Sequence, residues 1–329
     1  MAKQYKSTPL VIALTNINDG HLPFVQKHLS HPLLVIDTAQ VMVSKQELSY
    51  SLHGGNLHIT YNGQALNNVT GIWARGNRVP GSLKPPVPPY YQGYSRSAVT
   101  RNGDALYSCF KSALWVSDWY AIRQADYKPL QLQTAARIGF NIPETLFTSS
   151  PKRAKEFIKK YRETIIKPVA NDYPIDLEKG TGMLFFAHKL DSRDKVDLSG
   201  LHLAPAIFQQ AIDTKADLRV TVVGDQVFPA IIIDENPQYD KHIRDWRIGT
   251  YKGKLKISAY ELPKNITEQC VALVRKLNLR FGAIDLVIDK NDKIWFLEIN
   301  PNGQWAFVEE ETGQPMGKAL AGLLSGRFS

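Results

Sequence analysis

Hydrophobic and polar positions follow strand and helix periodicities along the first third of the chain. Apolar runs at 10–14 and 33–37, separated by a polar loop and a short helical pattern, predict two strands of an α/β unit. Alternating apolar residues on either side of Gly54-Gly55 predict a β-hairpin. A short strand is predicted through 69–73. The Pro-, Gly- and Tyr-rich stretch 80–94 predicts a long loop or a domain boundary, and 95–123 has a helical pattern.

A second unit begins near Asp126. Pro129 suits the first turn of a helix and Gly139 suits its C-terminal cap, so the pattern predicts a helix over 128–139. The elements predicted after it are a strand at 145–148, a basic amphipathic helix at 151–161, a strand at 164–167, a polar loop at 170–182, and a strand or connector at 207–212.

The third unit begins with a predicted hairpin that turns at Gly224-Asp225. Pro229 lacks an amide hydrogen, so we expect it at a sheet edge or a bulge. The elements predicted after it are an amphipathic helix at 264–279, a second hairpin at 282–300 and a helix near 315–324.

Two carboxylates and an amide share one face of the second hairpin. If Lys290-Asn291 is the turn, Asp285 lies opposite Phe296, and alternation puts Asp285, Glu298 and Asn300 on the same face. The other face is an apolar wall, formed by Ile284, Leu286, Ile288, Trp295, Leu297 and Ile299. The hairpin therefore collects acidic and amide side chains on one side of otherwise apolar strands.

Carboxylates on a half-buried face repel each other unless something compensates their charge. Mg²⁺ is a natural partner, because it prefers carboxylate and carbonyl oxygens and shares its coordination shell with substrate phosphates. The alternative is a solvated face on which Lys or Arg side chains pair with the carboxylates. The pattern alone leaves both readings open.

Several cations occupy positions that suit phosphate binding. Lys167 ends an apolar strand and Lys128 begins a helix, so each could meet a phosphate or could be an ordinary surface lysine. Arg219 alternates in phase with Asp217 and could clamp a phosphate or form a cross-strand ion pair. The triplet 245–247, Asp-Trp-Arg, combines two charged side chains with an aromatic one. Physical reasoning alone does not assign it a function.

Composition narrows the function classes. The 329 residues are 43% hydrophobic and 22% charged, and the net charge of +9 favours an acidic partner. Two distant cysteines exclude a disulfide framework, and no apolar run reaches the length of a membrane span. Walker-type, GxGxxG, GxSxG and HExxH motifs are all missing from the sequence. Without a signal-peptide pattern, we expect a soluble, cytoplasmic protein that binds neither membranes nor nucleic acid.

An ordered set of motifs resembles one known family. The set comprises Lys128 with its helix ending at Gly139, Ile166-Lys-Pro168, Phe208-Gln-Gln-Ala-Ile212, Asp217-Leu-Arg-Val-Thr-Val-Val-Gly224, the triplet 245–247, Asp285, and Phe296-Leu-Glu-Ile-Asn-Pro-Asn302. In this order, the set resembles the ATP-grasp ligases, and more closely the microviridin-type maturases of ribosomal peptides, the graspetide ligases. The likeness extends to the N-terminal hairpin and Trp73 and so covers nearly the whole chain. The resemblance implies an α/β fold with an N-terminal domain (1–125), a central subdomain (126–212) and a C-terminal subdomain (213–329).

The resemblance also implies roles for individual residues. Lys128 and Lys167 would contact ATP phosphates, the connector of Gln209, Gln210, Ala211 and Ile212 would read the adenine edge mainly through its backbone, and Asp217 would lie near the ribose. Asp285, Glu298 and Asn300 would hold Mg²⁺. Arg219 would lie near the transferred phosphate, and Arg247 would hold the acyl phosphate or the acceptor carboxylate.

The activity that the resemblance implies is macrocyclisation of a precursor peptide. ATP would activate a side-chain carboxylate of the peptide as an acyl phosphate, which a Ser, Thr or Lys side chain of the same peptide would attack. The expected partners are a peptide with a helical leader and an acidic, hydroxyl-rich core, and a second copy of the chain. Two alternatives are an ATP-grasp ligase that joins an amino acid to a small molecule or a protein terminus, and an inactive nucleotide-binding regulator.

The sequence departs from the family at a few positions. The connector has Gln210 where relatives usually carry Glu, Pro229 interrupts a strand that is usually free of proline, and the loop at 170–182 is poor in glycine for a phosphate lid. The segment after Trp73 reads Ala-Arg75-Gly-Asn-Arg78, whereas the family often has Arg directly after its Trp-x pair. These differences bear on the substrate more than on the use of ATP.

Overall fold

A computed structural model describes residues 9–43, 46–76, 85–169, 175–176, 181–182, 187–235 and 255–326. The predicted features at 236–254, with the triplet at 245–247, and at most of 170–182 lie outside these residues, as does Arg78. The described chain mixes helices with parallel and antiparallel sheets, as the predicted α/β class requires.

The N-terminal part contains a parallel four-stranded sheet with the strand order β2-β1-β6-β7. A separate antiparallel sheet, β3-β4-β5, contains the predicted Gly54-Gly55 hairpin. The strands are β1 (Leu10–Leu14), β2 (Leu33–Ile36), β3 (Leu48–His53), β4 (Asn56–Tyr61), β5 (Gln64–Ala65), β6 (Val69–Ala74) and β7 (Leu114–Trp115). The helices are α1 (Leu22–Gln26), α2 (Thr38–Val43), α3 (Pro89–Asp104), α4 (Leu106–Cys109) and α5 (Trp119–Ala125).

Two predictions in this part are wrong at their ends. Helix α3 begins inside the predicted loop 80–94, because Pro89 stands at its first turn, where proline costs no hydrogen bond. The helical pattern over 95–123 is broken by the short strand β7. Asp118 then starts α5 anew, since its side chain accepts hydrogen bonds from the amides of Tyr120 and Ala121.

The central part is an antiparallel four-stranded sheet with the order β12-β9-β13-β8. Its elements are α6 (Lys128–Ile138), β8 (Thr145–Thr148), α7 (Pro151–Lys160), β9 (Glu163–Pro168), β10 (Ile175–Asp176), β11 (Thr181–Gly182), β12 (His188–Asp191), a 3-10 turn (Ser199–His202) and β13 (Ala206–Gln210). The predicted α6 is confirmed, and Gly139 ends it with φ at 105°, a left-handed conformation that favours glycine. Ala154 and Ile158 of α7 pack on Phe208 to form a small separate core.

The C-terminal part is an antiparallel five-stranded sheet with the order β16-β15-β14-β17-β18. Its elements are β14 (Thr214–Val223), β15 (Gln226–Asp234), β16 (Leu255–Ala259), α8 (Lys264–Lys276), β17 (Phe281–Asp289), β18 (Ile294–Asn300), α9 (Ala306–Thr312) and α10 (Met316–Leu324). Both predicted hairpins form, and α9 is an element that the pattern did not predict. The three large sheets fall within 1–125, 126–212 and 213–329, and the division into domains at those residues stays a prediction.

Pro229 corrects one expectation. It lies inside β15, which pairs with β14 on one side and β16 on the other, and not at a sheet edge. Pairing with β16 begins only at Ala230, and the Pro229 carbonyl accepts a hydrogen bond from the Tyr260 amide just beyond β16. The proline therefore stands where the ladder on that side ends, so its missing amide hydrogen costs little.

Helix α10 joins the first and last parts of the fold. Its apolar residues pack between the N-terminal parallel sheet and the C-terminal sheet, in one core with Val11, Trp73 and Phe281. The approach is close: a Cβ built on Gly71 of β6 would lie 2.7 Å from the Leu324 carbonyl oxygen. A side chain larger than hydrogen at position 71 would therefore push this helix off the sheet.

Candidate active site

Three neighbouring strands place charged side chains in a row. Arg219 of β14 lies opposite Asp285 of β17, and Asp285 lies opposite Glu298 of β18. Asn300 follows two residues later on the same face, opposite Ala283. The predicted common face for the two carboxylates and the amide is confirmed, and Arg219 extends it into a row across the sheet.

The predicted register of the hairpin is wrong, although its conclusion holds. Asp285 lies opposite Glu298 instead of Phe296, because Leu297 forms a bulge in β18 and the turn is one residue longer than predicted. Trp295 and Phe296 therefore exchange faces relative to the prediction. Fully buried Phe296 belongs to the apolar core, whereas Trp295 shares the face of the carboxylates.

Arg219 is buried and held from two sides. One guanidinium nitrogen, Nη1, donates to Asp285 Oδ1 at 2.8 Å, and Nη2 donates to the Gln304 carbonyl oxygen at 2.9 Å. The cross-strand ion pair considered as an alternative is thus what the structure contains. Such a buried and doubly held guanidinium has its donors fixed in space, which suits it to recognise a phosphate beside Asp285.

Lys128 reaches the row from a neighbouring helix. It is the first residue of α6, and its ammonium group forms an ion pair with Glu298, with both side chains partly buried. A carboxylate paired with lysine was the alternative to metal binding. The described structure therefore brings together a predicted phosphate ligand and a predicted metal ligand, and each neutralises the other.

Lys167 lies on the central sheet. Its Nζ donates to Gln209 Oε1 at 2.9 Å, and Gln209 Nε2 donates to Thr145 Oγ1 at 3.0 Å. Gln209 is buried. These two hydrogen bonds connect β9, β13 and β8. They hold the Lys167 side chain in place, whereas a solvated lysine would sample many rotamers. Gln209 was predicted only as part of the connector that contacts the adenine. Its side chain instead accepts the hydrogen bond from Lys167.

The connector leads from β13 of the central sheet into β14 of the C-terminal sheet. The Gln210 amide donates to the Glu144 carbonyl at 2.8 Å, and the Ala211 amide donates to the Glu163 carbonyl at 3.1 Å. These two amides are therefore committed to the central sheet. If a backbone amide of this connector donates to a ligand, it is that of Ile212, the last of the four predicted residues.

Two further predicted residues complete the set. Asp217 lies on β14, two residues before Arg219 and on the same face, opposite Val287. It is half-buried and close enough along the strand to share a ligand with Arg219. Arg247 belongs to residues 236–254, outside the part of the chain that the structure describes. Its predicted role stays a prediction.

Sequence reasoning missed Gln131. This buried side chain of α6 forms hydrogen bonds to the backbone of Ile299, which stands between Glu298 and Asn300. A signal was present in the sequence, because Gln131 follows Lys128 by three residues and so shares its helix face. Nothing in a local pattern, however, shows which strand that face contacts.

A second missed cluster joins the N-terminal part to the loop after Asn300. The Trp305 amide donates to His21 Nε2 at 3.1 Å, and His21 Nδ1 donates to Asp19 Oδ1 at 2.6 Å. Asp19 also accepts from Arg75 Nε at 2.6 Å and from Thr15 Oγ1 at 2.7 Å. Since Nε2 accepts, the ring is the neutral tautomer with its proton on Nδ1.

Burial and charge set the protonation of this cluster. Burial raises the pKa of the Asp19 carboxyl, but the hydrogen bond from His21 and the charge of Arg75 outweigh it and hold the pKa far below its usual range. Burial lowers the pKa of His21 below its ordinary value of 6.5, against the raising effect of its bond to Asp19. The cluster is therefore an Asp–Arg ion pair that orients a neutral histidine.

The donor set of the row fits a hard divalent cation. Asp285 and Glu298 are cross-strand neighbours, a pairing with about 5 Å between Cβ atoms, and Asn300 adds an amide oxygen. Among the described residues no group of three or more His, Cys, Asp or Glu side chains could hold a metal. A cation here would thus complete its shell with the Asn300 amide, water and phosphate, as Mg²⁺ commonly does.

A comparison with protein families identifies the class of protein to which this fold belongs. A family model, the RimK-like ATP-grasp domain, matches residues 125–324, more than half of the chain. The chain therefore belongs to the RimK-like ATP-grasp family. No curated protein sequence is significantly similar to it. Among the described helices, none is long and apolar enough to cross a membrane.

Solved structures share this fold over nearly the whole chain. A Chryseobacterium gregarium RiPP-associated ATP-grasp ligase, in complex with ADP and a leader and core peptide, superposes with a TM-score of 0.85 at 24% identity, covering 97% of each chain. The macrocyclase MdnC from Microcystis aeruginosa, bound with precursor peptide MdnA, gives 0.80 at 24% identity, covering 97% of this chain and 99% of its own. D-alanyl-alanine synthetase A from Vibrio cholerae gives 0.55 at 10% identity, covering 97% and 98%.

These comparisons confirm the ATP-grasp fold class and the resemblance to ATP-grasp ligases. At such identities the structural likeness establishes the fold, while the substrate and the partners follow from the site. The roles predicted for individual residues stay predictions, although the structure brings Arg219, Asp285, Glu298, Asn300 and Lys128 into one group.

Proposed function

We propose that this protein is an ATP- and Mg²⁺-dependent ligase that closes ester or amide cross-links within a ribosomal precursor peptide. The observation that carries the proposal is the row of Arg219, Asp285 and Glu298 across three strands of an ATP-grasp fold. A phosphate-binding cation next to two metal-binding carboxylates is what phosphoryl transfer from ATP to a carboxylate requires.

Asp285, Glu298 and Asn300 hold Mg²⁺ in this proposal. When bound, the metal neutralises charge on the ATP phosphates. With the Glu298 carboxylate on the metal, Lys128 would be available to contact a phosphate oxygen. Lys167, held by Gln209, contacts the phosphates from the opposite sheet.

The connector holds the nucleoside. Since the backbone amides of Gln210 and Ala211 donate within the central sheet, the backbone amide of Ile212 donates to the adenine edge. Gln209 contributes through Lys167, and Asp217 accepts a hydrogen bond from the ribose. ATP therefore lies between the central and C-terminal sheets, with its phosphates directed along β14 towards Arg219.

The reaction takes place in two steps. A side-chain carboxylate oxygen of the peptide attacks the γ-phosphorus of ATP, ADP leaves, and an acyl phosphate forms next to Arg219. A Ser or Thr hydroxyl, or a Lys amine, of the same peptide then attacks the acyl carbon, loses its proton and expels phosphate. Arg247 holds the acyl phosphate or the acceptor carboxylate. The peptide loses one water for each ring.

The proposed partner is a precursor peptide with a helical leader and a core rich in acidic and hydroxyl side chains. Two similar ligases bind peptides in their solved structures, a leader and core peptide in one and a precursor peptide in the other. The net charge of +9 and the basic helix α7 suit attraction of such an acidic core. We further propose a cytoplasmic homodimer.

A second candidate is a carboxylate–amine ligase that adds an amino acid to a small molecule or to a protein terminus. The family match and the shared fold of D-alanyl-alanine synthetase A favour it. Both candidates use the same ATP chemistry, and they differ in the acceptor.

The test is reconstitution with a peptide from a neighbouring open reading frame. We expect ADP release that depends on the peptide and on Mg²⁺, and a product that has lost one water per ring by mass spectrometry. ADP release with free amino acids but not with the peptide would favour the second candidate. Absence of ADP with every acceptor would refute both.

A further inference from the structure

We infer that Gln131 is a positioning residue that orients the proposed metal ligands Glu298 and Asn300 by clamping the backbone between them. The inference rests on the proposed function for the identity of those ligands. The clamp itself is a feature of the described structure and can be measured without turnover.

The side-chain amide of Gln131 forms hydrogen bonds to backbone groups. Nε2 donates to the Ile299 carbonyl at 2.8 Å and to the Ala125 carbonyl at 2.6 Å, and Oε1 accepts from the Ile299 amide at 3.1 Å. Both of its donor hydrogens and one acceptor site are therefore occupied. The pair of bonds to Ile299 copies the contact that a neighbouring strand would make.

The clamp is needed because β18 is an edge strand. Among the described strands, none pairs with its outward amide and carbonyl groups. Asn141 covers the first part of this edge, where the Phe296 amide donates to its carbonyl at 2.9 Å and its Nδ2 donates to the Ile294 carbonyl at 2.9 Å. Gln131 covers the last part at Ile299.

The inner side of the strand is weakened at the same place. The bulge at Leu297 interrupts the ladder between β18 and β17 immediately before Glu298. The rotation of the strand about its axis therefore depends more strongly on the hydrogen bonds between Gln131 and Ile299 at its outer edge. Because side chains alternate, that rotation also sets the direction of Glu298 and Asn300, while Ile299 points into the core.

One helix face thus controls both the charge and the geometry of the row. Lys128 and Gln131 are three residues apart on α6 and contact, respectively, the Glu298 carboxylate and the next residue's backbone. Groups that orient metal ligands from behind change affinity by roughly 10- to 100-fold when they are removed. We expect an effect of that size from Gln131.

The test measures metal binding directly. Mn²⁺ is titrated into the protein with a non-hydrolysable ATP analogue, and free Mn²⁺ is followed by electron paramagnetic resonance. For Gln131→Leu we expect Mn²⁺ affinity to fall by roughly 10- to 100-fold, together with faster hydrogen exchange of the peptide containing Ile299. Gln133→Leu is the matched control, since Gln133 is exposed on the same helix and should bind as wild type does.

Wild-type Mn²⁺ affinity in folded Gln131→Leu would overturn the inference, whether or not the enzyme cyclises peptides. Wild-type protein that binds Mn²⁺ but forms no cross-link would refute the proposed function and leave the clamp intact. A purely structural role would lower the melting temperature without changing the Mn²⁺ affinity of the folded protein.

Gln131→Glu keeps the side-chain shape and remains informative if the leucine variant does not fold. At about pH 8 its carboxylate faces the carbonyls of Ala125 and Ile299 without a hydrogen to donate. Both donated bonds are then lost in this variant, so its Mn²⁺ affinity should fall below that of wild type. Wild-type Mn²⁺ affinity in folded Gln131→Glu would count against the clamp.

Discussion

A single methyl group at position 303 should disable the row without removing any of its side chains. Gly303 lies in the loop after Asn300, and a Cβ built there would lie 2.5 Å from the Ala283 Cβ and 2.6 Å from Arg219 Nη2. Ordinary carbon contacts begin at about 3.5 Å, so Gly303→Ala requires a movement of about 1 Å. Ala283 is fully buried in β17, so the movement falls on Arg219 and the loop.

The displacement has a structural cost and a functional cost. Overpacking of this kind destabilises by about 1–3 kcal/mol, which for 329 residues corresponds to a fall in melting temperature of about 1–4 °C. It also strains the bond from Arg219 Nη2 to the Gln304 carbonyl. Misplacing a reacting group by about 1 Å can cost on the order of 100-fold in rate, so we expect turnover to fall far more than folded protein does.

Thermal unfolding and ADP release with peptide acceptor measure the two costs separately. Gly93→Ala is the control, because a Cβ on Gly93 in exposed helix α3 meets nothing within 4 Å. It should match or slightly exceed wild-type stability, by up to about 1 kcal/mol. The reasoning is refuted if Gly303→Ala melts and turns over as wild type does.

Three other substitutions probe the row, Lys167 and the His21 cluster. Glu298→Gln should abolish ADP production while keeping the fold, since it removes a metal ligand and little packing; unchanged ADP production would overturn the metal assignment. Lys167→Ala should weaken ATP binding in calorimetry, and wild-type affinity would contradict its phosphate contact. Because burial lowers the pKa of His21, the unfolded chain binds more protons below about pH 6.5, and stability is lost as pH falls. The melting temperature of His21→Gln should therefore decline less than that of wild type between about pH 7 and pH 5. A decline as steep as in wild type would count against His21 as the group whose protonation destabilises the fold.

The carboxylate face was predictable because two errors in the hairpin cancel. The turn is one residue longer than predicted, and the Leu297 bulge adds one more, so Asp285 moves two positions along its partner strand. A shift of two keeps the face, whereas Trp295, between the turn and the bulge, is shifted by one and changes face. The prediction therefore succeeded at the site and failed next to the turn.

The groups that support the face were not predictable, since they meet across long stretches of chain. Gln131 and Ile299 are 168 residues apart, and His21 and Trp305 are 284 apart. Periodicity shows that a helix or strand has an inner face but not which partner fills it. Fold class and motif order, by contrast, depend on local patterns and were visible from the sequence.

Helix α10 has a consequence for biosynthesis. It covers the N-terminal parallel sheet, yet roughly 190 residues are translated between the last helix of that part, α5, and the start of α10. At about 5–20 residues per second, the ribosome needs on the order of 10–40 s to make them. During that time the face containing Val11, Gly71 and Trp73 lacks its native cover. The nascent chain therefore passes through a stage in which chaperones can recognise this apolar surface.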